Sequence, residues 1–150
     1  TDANYGVEIT PCNALTGEGF LPWKTLGVSE TDAWSGDRID AASPGLWRYR
    51  VNSNFSNATT LFTISTVSNA AENIVVRNSA GNNLTTTTEN PVAVIFSTGK
   101  NQVAEGENAT FEAANAFYQA DIPSSTFDDQ LVWIGRPVLI SRMISAGKLP

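Results

Sequence analysis

The chain contains no histidine and a single cysteine, Cys12. Without imidazole it lacks the commonest general base, the commonest zinc ligand and the middle member of most nucleophilic triads. One thiol forms neither an internal disulfide nor a cysteine-cluster metal site. Charge is also scarce, at 16% of residues, against about 25% in ordinary soluble domains. Only 9 Lys and Arg oppose 15 Asp and Glu, for a net charge of −6. That balance excludes a nucleic-acid binder, which needs concentrated positive charge. No apolar run approaches the roughly 18 residues of a membrane span, and no segment reads as a cleavable leader.

What is present is Thr, Ser and Asn in abundance and a hydrophobic fraction of 41% over 150 residues. This suits one domain with a normal core and a β-rich, extracytoplasmic surface. The Asn-x-Ser/Thr sequons at Asn54, Asn57, Asn83 and Asn108 carry no weight, since this composition generates several by chance.

The most informative stretch is Gly19-Phe20-Leu21-Pro22-Trp23-Lys24-Thr25-Leu26-Gly27, followed by Asp32-Ala33-Trp34 and Trp47-Arg48-Tyr49-Arg50-Val51. Irregular backbone with this much aromatic surface must be pinned against something large. Nothing N-terminal to it in these residues is large enough, so the chain reads as the globular part of a longer protein.

Residues 1–45 read as loop with short helical turns, Pro22 opening at N1 a one-turn helix that Gly27 ends. A period of two begins at Leu46 and predicts strands at Leu46 to Asn52, Thr60 to Val67 and Asn73 to Asn78. Ser79-Ala80-Gly81-Asn82 reads as a hairpin turn into a Thr-rich edge at Leu84 to Thr88. Val92 to Ser97 is the expected central strand and Leu131 to Ile134 the last one. Residues 98–128 form a long connection, broken by a short helix at Glu112 to Gln119. Pro137 then fits N1 of an amphipathic C-terminal helix with Gly147 at C′, so that residues 130–150 hold the last strand and this helix. The expected fold is α+β, with an antiparallel sheet of about four to six strands, a C-terminal helix and a long irregular N-terminal segment.

Several readings compete at individual residues. Asp128 and Asp129 suit a calcium site with Glu105, Glu107 or loop carbonyls, because calcium takes several oxygens; Asp128 equally suits a turn cap. An acid/base carboxylate pair is a further reading, but nothing fixes their separation and no aspartic-protease signature is present. The expectation is that the chain is not an enzyme. Trp23, Trp34, Trp47 and Trp133 suit either a sugar-stacking platform or structural anchors. Arg48 and Arg50 give one strand a basic face, which is either solvated or docks against acidic neighbours.

Three segments in order carry a resemblance. GFLPWKTLGVSETDAW with RYRV resembles the post-helix loop and first strand of type IV pilin-like proteins, particularly minor pilins and pseudopilins with a prepilin-type N-terminus. PVAVIFSTGKNQVAEGEN resembles their strand ending in a Ser-x-Gly-Lys-Asn turn, and FDDQLVWIGRPVLISRMISAGKLP their closing segment. The motif positions are Leu21, Pro22, Trp23, Leu26, Gly27, Asp32, Trp34, Tyr49, Gly99, Asn101, Trp133 and Gly147. The chain departs from the pattern in placing Ser35 before Gly36, and in an insertion from Asp37 to Gly45.

The resemblance implies a pilin-like domain whose N-terminal helix lies outside these residues and packs on the sheet. Without that helix one sheet face is expected to be uncovered, or covered by residues 1–45 or by another copy. The resemblance implies a structural role in a type IV pilus or type II secretion pseudopilus, with other pilin subunits and an inner-membrane assembly machine as partners. The location would be inner membrane and periplasm, then a surface filament. It also implies that Cys12 pairs with a cysteine elsewhere in the parent protein, in an oxidising compartment. The major pseudopilin of type II secretion binds calcium in its corresponding loop. The competing reading is an extracellular adhesive or ligand-binding β-rich domain, calcium-dependent, with loop 98–128 as its contact site.

Overall fold

The computed structural model describes residues 6–8, 18–34, 47–56, 61–69, 72, 74–86, 91–110 and 117–148. Cys12, Asn57 and the insertion from Asp37 to Gly45 lie outside them. Six strands are described: β1 (Glu18–Phe20), β2 (Arg48–Val51), β3 (Val75–Arg77), β4 (Pro91–Ser97), β5 (Phe117–Gln119) and β6 (Gln130–Gly135). Three helices accompany them: α1 (Trp23–Leu26), α2 (Ser53–Ser56) and α3 (Arg136–Ser145). The fold is α+β.

The main sheet has the order β1-β2-β4-β6 and is antiparallel throughout. Its centre is β4, the apolar run Pro-Val-Ala-Val-Ile-Phe-Ser, whose residues are buried except for half-buried Ile95. β3 and β5 form a second, parallel pair. The core lies between the two, where Val94 and Phe96 meet Ile74, Val76 and Tyr118, with Leu131 and Ala120 packed around them.

Alternation along β4 turns Ile95 to the opposite face. Register places Tyr49 and Val132 on either side of it and Gly19 beyond Tyr49. This row is the least covered part of the sheet: Tyr49 and Ile95 are half-buried, and Val132 is 61% exposed.

The helix punctuation signals hold to within one residue: Gly135 is the N-cap of α3, so Pro137 stands at N2 and not at N1. Gly27 is left-handed and caps α1, although Pro22 is the N-cap residue and the helix begins one position later than expected. Gly147 is left-handed after α3; its N–H donates to Ile144 and the Lys148 N–H to Met143, a Schellman closure.

Several expectations need correction. Glu18–Phe20, inside the segment read as loop with short helical turns, is strand β1 and pairs antiparallel with β2. The described part of Thr60 to Val67 is no strand but a loop, closed by turns at Thr63 to Thr66. There the Thr66 hydroxyl takes the Thr63 N–H, and threonine side chains that serve the backbone locally compete with a ladder. Phe62 packs on Phe55 of α2, with ring centroids 5.4 Å apart, so its apolar character serves a loop anchor. The end of the expected helix Glu112 to Gln119 is strand β5, whose Tyr118 is needed in the core. The described part of the expected edge at Leu84 to Thr88, residues 84–86, is no strand; the bridge lies one residue earlier, between Arg77 and Asn83, and buried Thr85 accepts the Val76 N–H through its hydroxyl.

The basic face of β2 lies on the core side of the sheet, with Arg50 buried and Arg48 half-buried. Arg50 is 4% exposed and registers with Val94 on the core side, while the Arg48 guanidinium lies 5.8 Å from the Phe20 ring and 6.0 Å from the Phe96 ring. The rings lie beside the Arg48 cation, which alternation points to the same side of the sheet as Arg50.

Candidate functional site

The end of β4 and the start of β6 leave the main sheet side by side, since Ser97 registers with Gln130. The segments just outside this pair are Thr98 to Asn108 and Phe127 to Asp129. Their tight turn needs glycine: Gly99 has φ +65°, and a Cβ there would run into the carbonyl and carboxylate of Asp128. Ser97 at the end of β4 donates through its hydroxyl to Asp32, and its oxygen accepts the Gly99 N–H at 3.0 Å. Asp32 is buried and also caps the Trp34 N–H at 2.9 Å. Asp32, Ser97, Gly99 and Asp128, from all three motif segments, thereby form one connected unit.

Beside this unit Glu105, Asp128 and Asp129 converge, each offering a ligand oxygen within 4.8 Å of the others. Asn101 orders two of them: its N–H donates to Asp128 Oδ2 at 3.1 Å and its Nδ2 to Glu105 Oε1 at 2.7 Å. Glu105 Oε2 accepts the Asp128 N–H at 2.6 Å. Asp129 is 2% exposed; its Oδ2 accepts from the Glu105 N–H at 2.9 Å and from Asn108 Nδ2 at 3.0 Å. The remaining oxygens, Asp128 Oδ1 and Asp129 Oδ1, are buried with no donor among the described residues.

Buried carboxylate oxygens without donors are costly, and three carboxylates so close repel one another. Burial, together with the neighbouring charges of Glu105 and Asp128, pushes the Asp129 carboxyl up to about 6, against the hydrogen bonds from Glu105 and Asn108. The donor set is all oxygen, which selects a hard cation; calcium accepts such an irregular carboxylate and carbonyl cradle, whereas magnesium demands near-octahedral order. Asp129 and Asp128 would supply their orphaned oxygens and Glu105 a third carboxylate.

Of the calcium candidates read from the sequence, Glu105, Asp128 and Asp129 come together and Glu107 does not. The Glu107 carboxylate is bound by Arg77, whose guanidinium also lies 3.9 Å from the Phe117 ring. This ion pair fixes the 3-10 turn Gly106–Thr110 against β3 and β5.

Asn108 escaped sequence reasoning as anything but a sequon. It is buried, its Oδ1 accepts the Gln119 N–H at 2.9 Å, and its Nδ2 reaches both Gln119 O at 3.0 Å and Asp129. It serves β5 as a missing strand partner would. Among the remaining motif residues, Pro22 is buried; Leu21, Trp23, Trp34 and Tyr49 are half-buried; Leu26 and Trp133 are exposed. Trp23 packs so closely on Gly6 that a Cβ at that glycine would overlap the indole, which makes it a loop anchor. No family model matches the chain, and searches of curated proteins and of solved structures likewise return no match.

Proposed function

We propose that the chain is the globular domain of a minor pilin or pseudopilin, a structural subunit of a type IV pilus or type II secretion pseudopilus. The observation that carries this reading is the apolar row Tyr49, Ile95 and Val132 across the outer sheet face, which is left half-exposed to exposed. Such a face suits a long apolar helix laid across the strands. In this proposal the helix is part of the parent protein; among the described residues no helix is long and apolar enough to cross a membrane. The connected unit of Asp32, Ser97, Gly99 and Asp128 supports it further, because it gives a structural reason for motif residues that lie far apart in sequence.

In this proposal the helix anchors the subunit in the inner membrane. An assembly machine extracts it into a helical filament, with other pilin subunits in head-to-tail contact. The domain forms the outer surface, and no residue has a catalytic task. Electron cryomicroscopy of filaments sheared from cells tests this: density for the domain around a helical core is expected, and filaments unchanged on deletion of the gene contradict it.

The second reading, a calcium-dependent adhesive or ligand-binding domain, is favoured by the orphaned oxygens of Asp128 and Asp129. The two are compatible, since calcium would order loop 98–128 on either account. Isothermal titration of the metal-free domain with calcium tests it: saturable 1:1 binding that Asp129→Asn removes supports the site, and no heat at millimolar calcium contradicts it.

A further inference from the structure

Asn108 stands where the acidic cluster meets the second sheet. It lies in the 3-10 turn Gly106–Thr110 and is 1% exposed. Both ends of its amide are engaged. Oδ1 accepts the Gln119 N–H at 2.9 Å, and Nδ2 donates to Gln119 O and to Asp129 Oδ2, both at 3.0 Å. Turning the amide over would exchange its oxygen and nitrogen, and these partners forbid that. The turned group would set its NH2 against the Gln119 N–H, and its oxygen against a carbonyl and a carboxylate. Strand β5 therefore fixes which end of Asn108 meets Asp129, and that end is a donor.

Asp129 is held accordingly. Its Oδ2 receives both the Asn108 amide and the Glu105 N–H, the latter at 2.9 Å. Its Oδ1 is buried with no donor among the described residues, on a side chain whose residue is 2% exposed. Two donors on one oxygen fix the rotation of the carboxylate and leave the other to the cluster with Glu105 and Asp128.

We propose that Asn108 is a positioning residue of the calcium site: it binds no ion itself and keeps Asp129 in the rotation that does. This role rests on the calcium reading given above. Ligands of metal ions are commonly oriented by such outer hydrogen bonds, whose loss costs roughly 10–100-fold in metal affinity. The same amide serves the backbone of β5, so calcium binding and the seating of β5 draw on one side chain. Glu107 supplies the contrast. It is the neighbouring residue in the same turn, yet its carboxylate pairs with Arg77.

The test is isothermal titration of the metal-free 150-residue chain with calcium, beside Asn108→Ser and Glu107→Gln variants shown to be folded by circular dichroism. Asn108→Ser should bind calcium roughly 10–100-fold more weakly. Glu107→Gln loosens the same turn without touching Asp129 and should keep the unaltered affinity. Terbium luminescence lifetimes in H2O and D2O count the waters on a bound ion, which lost stability alone does not change. Asn108→Ser should add ion-bound water as the hold on Asp129 is released. A measurement on the unaltered, metal-free chain needs no variant: nuclear magnetic resonance should show the Asn108 side-chain protons already protected from exchange. An unaltered chain that binds no calcium overturns the calcium reading and this inference with it. Calcium binding that Asn108→Ser leaves intact, or that Glu107→Gln weakens equally, overturns this inference alone. So does an unchanged terbium water count, or an Asn108 amide protected only once calcium is added.

Discussion

Asn108 donates to Asp129 from a position 21 residues earlier in the chain, at 3.0 Å, and so holds one oxygen of a buried carboxylate while the other has no donor. Half of that carboxylate is held by the protein, and the other oxygen is buried with no donor among the described residues, a demand that a bound calcium ion would meet. Calcium should therefore raise the melting temperature. At a hundredfold excess over its dissociation constant the gain is about 2.7 kcal/mol, or roughly 5–10 °C for a domain of this size. Asp129→Asn should abolish the shift. Melting curves in calcium and in chelator read both.

The metal-free protein should be more stable in mild acid than at neutrality. The Asp129 carboxyl is raised from 3.8 to about 6 in the folded state, so folding favours its protonated form. That contribution is fully present below the unfolded value near 4 and is lost as pH rises through about 6, a loss of roughly 2–3 kcal/mol. Denaturant titration of Asp129→Asn in chelator should show a flatter dependence between pH 4 and 7 (about one such group's worth).

Gly99→Ala should destabilise the domain by on the order of 3 kcal/mol, because the residue is left-handed and its new methyl meets the Asp128 backbone, which cannot swing aside. Gly27→Ala is the control. Its φ is also positive but a Cβ there meets nothing within 4 Å, so it should cost only about 1 kcal/mol. Chemical denaturation of both variants separates steric from conformational cost.

Asp32→Ala removes a buried carboxylate that holds the Ser97 hydroxyl and the Trp34 N–H. A loss of roughly 2–4 kcal/mol is expected. Hydrogen exchange should show the Gly99 amide released with it, since Ser97 links the two.

The elements with clean periodicity were legible in the sequence. β4 is a continuous apolar run of strand length, and α3 carries a proline at its start and a glycine after its end. The parts that were not legible depend on tertiary demand. Phe62 and Ile64 alternate as in a strand, yet the Thr66 hydroxyl turns that segment into a loop. Tyr118 sits in a stretch of helical composition, but the core needs its ring against Phe96. Arg50 looks like surface until register places it beside Val94.

The candidate site was half legible for the same reason. Adjacent aspartates in a long loop mark a possible ligand cluster, and Asp128, Asp129 and Glu105 do meet. Glu107 has the same chemistry as Glu105 and a position two residues on, and only the location of Arg77 decides that it pairs elsewhere. Asn108 shows its role through a strand partner, Gln119, that nothing in its own neighbourhood announces.

The central claim is that the row Tyr49, Ile95 and Val132 is where an apolar helix of the parent protein lies. Mass spectrometry of the protein isolated from native membranes and surface filaments, with chemical cross-links mapped to Tyr49, tests it most directly. The account predicts an apolar N-terminal helix in the mature polypeptide, cross-linked to that residue. A mature polypeptide that lacks such a helix, recovered only outside membranes and filaments, would contradict it.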